Sequence, residues 1–152
     1  VRIVLQRVHR AEVRVDQRTI ASVSKGLLLL VGIGKGDDAL DFGRLARKLS
    51  QLRIFEDAAG KMNLSLLDIG GEILAVSQFT LYGDTHKGRR PSFSEAAPPQ
   101  EAQRLFDAFV NALKAEGVLV KTGAFGAKMA VELVNDGPVT LILDLAPSDE
   151  SS

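Results

Sequence analysis

The chain has 152 residues, 45% of them hydrophobic and 25% charged, proportions that fit one domain with one core and argue against disorder. Nineteen basic residues balance nineteen acidic ones, so no broad basic field draws nucleic acid, and any such contact is local. Cysteine is absent, which excludes a disulfide framework, a thiolate nucleophile and a cysteine-bound metal.

The opening Val1-Arg2-Ile3-Val4-Leu5-Gln6-Arg7 sets charge on both sides of a short apolar stretch, unlike a secretory leader. Ala11, Val13 and Val15 alternate with Glu12, Arg14 and Asp16, and strands are predicted over Arg2 to Val15. Leu27 to Val31 is apolar without alternation, as in a strand covered on both faces. The run Gly26 to Gly34 is far shorter than the ~20 residues of a membrane span. Gly32-Ile33-Gly34-Lys35-Gly36 lacks the spacing of a phosphate-binding loop and reads as a tight strand-to-helix turn.

From Asp37 to Leu52 the apolar residues Phe42, Leu45, Leu49 and Leu52 recur at helical spacing, with Asp37 or Asp38 as the expected N-cap. Asn63-Leu64-Ser65 reads as a turn. A strand is predicted over Glu72 to Leu81, followed by a long loop, Gly83 to Pro98. A second helix starts at Pro98-Pro99, carries the stripe Ala102, Leu105, Phe106, Phe109 and Leu113, and stops at Gly117. Strands follow at Val118 to Gly123, Met129 to Val134 and Val139 to Leu145. This order predicts a single α/β domain over residues 1–145, mixed β-sheets covered by two main helices, with a flexible tail at 146–152.

Four groups of residues carry chemistry. His9 and His86 are far apart and no ligand cluster accompanies them, so neither metal nor cofactor is expected. A triad of Ser77, Asp84 and His86 lacks the turn that normally presents a nucleophilic serine, and His86 reads as a solvated loop residue. Lys87, Arg89 and Arg90 beside Phe93 suit phosphate contact and base stacking, or form a merely solvated charge run.

In Ser77-Gln78-Phe79-Thr80, strand alternation places Gln78 and Thr80 on one face. The segment is either a strand end or an acyl site with backbone amides as an oxyanion hole. Gly137-Pro138 is either a bend or a cis bond that fixes its neighbouring carbonyls.

Together, Ser77-Gln78-Phe79-Thr80-Leu81-Tyr82 and Asn135-Asp136-Gly137-Pro138-Val139-Thr140 resemble the two signature motifs of the D-aminoacyl-tRNA deacylases. Val4-Leu5-Gln6-Arg7-Val8, Gly26-Leu27-Leu28 and Lys87-Gly88-Arg89-Arg90-Pro91-Ser92-Phe93 are similar to that family too, so the resemblance covers residues 1 to 145. Val1, where a methionine is expected, is the departure, as from a non-standard start codon read literally. The resemblance implies a three-layer α/β/β fold and a cytoplasmic, metal-independent homodimer that hydrolyses the ester of D-aminoacyl-tRNA and of mischarged glycyl-tRNA.

It implies Ser77, Gln78, Phe79 and Thr80 at the catalytic site. Gly137 and Pro138, with a cis bond, would police chirality from the partner subunit, and Lys87, Arg89 and Arg90 would contact tRNA. The alternatives are a general esterase with a Thr80 or Ser77 nucleophile, and a non-catalytic tRNA-binding dimer.

Overall fold

The computed structural model describes residues 1–147, so the predicted tail, beyond Ala146 and Pro147, lies outside the described residues. The first strand, β1 (Arg2–Val15), shows the expected alternation, with Ile3, Leu5 and Val13 buried. It turns through Asp16 and Gln17, both at positive φ (50° and 67°), a two-residue hairpin turn whose twist matches its strands. The strand that follows, β2 (Arg18–Val23), was not expected, because neither glycine nor asparagine marks this turn.

One edge of β1 serves two partners. Residues 2–8 pair antiparallel with β3 (Gly26–Gly32), and Ala11 to Val15 pair with β2. Its other edge pairs with β8 (Ala130–Asp144) along most of its length. On the far side of β3 come β6 (Glu72–Ser77) and then β7 (Leu119–Thr122), both parallel to it. Parallel neighbours require crossovers. The first contains α1 (Phe42–Gln51), the hairpin β4 (Phe55–Glu56) and β5 (Met62–Leu64), and α2 (Leu66–Ile69); the second is α3 (Pro99–Ala115).

Both helices α1 and α3 lie on one face, over a core of Leu27, Leu29, Ile73, Ala75, Leu49 and Phe109. The alternate residues Leu28 and Leu74 point the other way and join Val8, Val13, Ala21 and Val23, where β2 and the second half of β1 curl over the sheet. Helices, central sheet and overlying β-layer form the expected mixed α/β architecture, and β3 is apolar throughout because it is covered from both sides.

Several boundaries differ from the sequence reading. Asp41 caps α1, accepting from the Arg44 amide, whereas Asp37 sits in a preceding 3₁₀ turn. There Asp37 is buried and accepts from the Gly34 amide at 2.7 Å. Leu64 ends β5 and Ser65 caps α2 through a reciprocal capping box with Asp68, so Asn63-Leu64-Ser65 is no free turn. The strand from Glu72 stops at Ser77, and Phe79–Tyr82 is a 3₁₀ turn. The two strands expected after Met129 are one, β8, which runs through Gly137-Pro138. No helix among the described residues is long and apolar enough to cross a membrane.

Candidate active site

The carboxyl ends of β3, β6 and β7 open onto a common hollow of about 530 Å³, the position where open parallel sheets bind ligands. Ile33 follows β3, Ser77 to Thr80 close β6, and Phe125 follows β7, with Phe93 and the start of α3 as further walls. The walls are mainly apolar, and Ser77, Gln78 and Thr80 are the hydroxyl and amide side chains among them.

Why the chain turns at Ser77 is visible behind the wall. The Gln78 amide still bonds the Val31 carbonyl at 2.8 Å, as the strand ladder requires, and then the chain tightens, with the Leu81 amide donating to the Gln78 carbonyl. Tyr82 folds its ring onto Gly34, where a Cβ would come within 2.7 Å of the ring's Cζ and Oη. The Arg2 guanidinium covers the ring at 4.7 Å and donates to the Leu81 carbonyl. Burial, chiefly, raises the Tyr82 phenol above its ordinary value. Gly34 is thus a bed for the Tyr82 ring.

This turn brings Gln78 and Thr80 together by a route other than strand alternation: Gln78 Nε2 donates to Thr80 Oγ1 at 3.1 Å. An amide donor cannot take the proton of that hydroxyl, so it positions Thr80 without activating it. The amides of Phe79 and Thr80 precede the turn's first internal bond. Phe79 is 56% exposed, and its ring meets Phe93 edge-on at 5.1 Å.

The basic loop springs from the same place. Asp84 and Ser92 exchange backbone hydrogen bonds of 2.7 and 2.8 Å, closing its base. His86 turns back to Asp84, its amide and Nδ1 both on Asp84 Oδ1, and 92% of its side chain is exposed. These bonds hold the Asp84 carboxyl below its ordinary value. The Asp84 contact by itself would suit a triad, but among the described residues no hydrogen bond joins His86 to Ser77, so no triad is assembled.

Gly137 and Pro138 lie elsewhere and do not line the hollow. Within β8, Thr140 pairs with Gln6 and Asn135 with Val8, so Arg7 alone faces residues 136–139, which bulge outward. Asn135 closes the foot of the bulge, accepting from the Val139 amide at 2.8 Å and donating to the Val139 carbonyl at 3.1 Å. Arg7, only 2% exposed, donates to the carbonyls of Asp136 at 3.0 Å and Ile54 at 2.7 Å. The Gly137-Pro138 bond is cis, with both residues exposed. Gly137 has φ 141°, and a Cβ there would lie 2.8 Å from the Val139 nitrogen.

The sequence reading assigned Arg7 and Asn135 no separate role, and it missed the wall at Phe125. An arginine at an apolar-flanked strand position and an aromatic residue between glycines were the available signals. Among the described residues, no three His, Cys, Asp or Glu side chains gather as metal ligands would.

Comparison with known proteins places this geometry. A family model described as D-Tyr-tRNA(Tyr) deacylase matches residues 4–144. A D-aminoacyl-tRNA deacylase of Thermosipho africanus is 59% identical over 143 residues, 94% of this chain and 96% of that one. One of Thermomicrobium roseum is 61% identical over 145 residues, covering 95% and 94%.

Among solved structures, the c-Myc DNA unwinding element binding protein superposes with a TM-score of 0.89 at 39% identity, covering 96% of this chain and 99% of its own. A probable eukaryotic D-amino acid tRNA deacylase superposes at 0.81 and 19% identity, covering 95% and 98%, and shares the fold. Matched over nearly its whole length, the chain belongs to the D-aminoacyl-tRNA deacylase family of hydrolases.

Proposed function

We propose that the protein hydrolyses the ester of D-aminoacyl-tRNA, and of mischarged glycyl-tRNA, as a cytoplasmic homodimer that proofreads chirality. The hollow at Ser77 to Thr80 receives the terminal adenosine and its ester. The amides of Phe79 and Thr80 polarise the ester carbonyl, and water attacks with help from the 2′-hydroxyl of that adenosine. Thr80 positions groups and forms no acyl intermediate. Lys87, Arg89 and Arg90 contact tRNA phosphates.

Gly137 and Pro138 act in the partner's hollow. Their backbone carbonyls take the substrate α-ammonium, and the wall then excludes an L-side chain while a D-side chain points to solvent and glycine passes. Support comes from the outward bulge, which Arg7 and Asn135 hold in place and which does not line the hollow at Ser77 to Thr80 of its own chain. The exposed Val134, Leu141 and Ile142 on the same strand are apolar ground for a second copy.

The single observation that carries the catalytic reading is that Thr80 Oγ1 accepts from Gln78 Nε2 and, among the described residues, makes no hydrogen bond to a base. Purified protein is expected to cleave D-tyrosyl-tRNA far faster than L-tyrosyl-tRNA, with or without chelator. Equal rates, or loss of activity on chelation, would refute the proposal.

A further inference from the structure

The basic loop is tied to the mouth of the hollow at both feet. Its first foot, Asp84, follows Gly83 at the end of the turn that carries Phe79 and Thr80. Its second foot, Ser92, precedes Phe93, which is itself a wall of the hollow. The feet are locked by the reciprocal Asp84 and Ser92 bonds, and Gly83 packs so closely on Phe93 that a Cβ there would lie 3.1 Å from the ring. Seven residues, 85–91, lie between the feet, so the tip at Gly88 stands at most about 14 Å from the base.

Charge on this loop is uncompensated. Arg2, Arg10 and Arg14 pair with Asp144, Glu132 and Glu12, but among the described residues no ion pair engages Lys87, Arg89 or Arg90. All three are exposed, and the loop's acid, Asp84, is taken up by His86. At the foot of the loop Phe79, in a T-shaped pair with Phe93, leaves 56% of its surface exposed. Unpaired cations next to an exposed aromatic ring suit a single strand, whose bases are free to stack.

We infer that Lys87, Arg89 and Arg90 grip about three phosphates of the unpaired 3′ end of the RNA, immediately before the esterified nucleotide, and do not contact the paired stem. This rests on the deacylase reading and narrows its substrate requirement: the loop recognises the RNA end that enters the hollow. A trinucleotide that bears a 5′-phosphate and ends in the esterified adenosine carries every phosphate the loop reads, two between nucleotides and one at its 5′ end.

The test measures kcat and KM for a D-tyrosyl ester on full-length tRNA and on such a trinucleotide, with the wild type and the triple variant Lys87→Ala, Arg89→Ala, Arg90→Ala. The variant is expected to lose kcat/KM by the same factor on both, on the order of tenfold or more and carried by KM. On tRNA its plot of log kcat/KM against log salt should be shallower by about 2, the share of three single-strand phosphates. The charge-keeping variant Arg89→Lys, Arg90→Lys should retain most activity on both.

A loss on tRNA with none on the trinucleotide would place the loop on the stem and overturn the inference. So would no loss on either, or a wild type that cleaves only the full-length substrate. A wild type that cleaves neither ester fails the deacylase reading itself, a separate and distinguishable result.

Discussion

The two signature segments are both interruptions of a strand, yet they are built in opposite senses. At Ser77 the strand ends, and the chain folds back, Tyr82 onto Gly34, to wall a hollow. At Asn135 the strand continues, and four residues are pushed out and clamped from below. The first makes a concave surface backed by the main core, and the second a convex one held by a buried arginine. A receiving site needs packed walls. A projecting group needs rigid backbone that does not depend on whatever it enters. Clamped in place and absent from the lining of its own hollow, the bulge has the build that the proposed action on a second copy requires.

The largest way to break this contrast is Arg7→Ala. Removing the guanidinium orphans the carbonyls of Ile54 and Asp136 and leaves Asp136 without its close cation. Loss of one partner from such a buried arrangement costs about 3–5 kcal/mol, which urea denaturation would record as a lower midpoint with unchanged slope. A shift of less than about 1 kcal/mol would mean that the bulge does not depend on Arg7.

Gly137→Ala should cost less stability and more chemistry. The added methyl meets the Val139 nitrogen at 2.8 Å, at a backbone φ of 141° that side chains rarely adopt, so the bulge must shift. A misplacement of about 1 Å costs on the order of a hundredfold in rate. The loss should appear in kcat/KM for D-tyrosyl-tRNA while gel filtration still gives the wild-type size. Wild-type turnover would remove this bulge from the reaction.

What was legible in the sequence divides along the same line. The alternation of β1, the covered run of β3 and the apolar stripes of α1 and α3 reported their environments, because each repeats one local geometry over several residues. The joint pattern of the two motifs pointed to the family, and the hollow does gather Ser77, Gln78, Phe79 and Thr80. Hidden from it were features decided by distant chain. Strand β6 ends at Ser77 because Tyr82 finds Gly34, nearly fifty residues back in sequence. Arg7 shares the strand parity of the buried Ile3 and Leu5, but the sequence does not show what would satisfy a guanidinium there. It is buried because the carbonyls of Ile54, just before β4, and Asp136, in β8, supply its acceptors.

The smallest effect is the most discriminating for the concave side. Thr80 accepts one hydrogen bond from Gln78 and, among the described residues, makes none to a base, so on the proposed mechanism Thr80→Ala removes a positioning contact and no nucleophile. A neutral hydrogen bond of this kind is worth about 0.5–1.5 kcal/mol, and D-tyrosyl-tRNA cleavage should fall by roughly two- to tenfold while remaining measurable. A hydroxyl that forms an acyl intermediate behaves differently: its removal abolishes turnover, and a burst of released tRNA in the wild type disappears with it. Rapid-quench measurement on wild type and variant separates the two, because attack by water predicts no burst in either. With no burst and a modest loss, the concave segment acts through the placing of its backbone, as the convex one does.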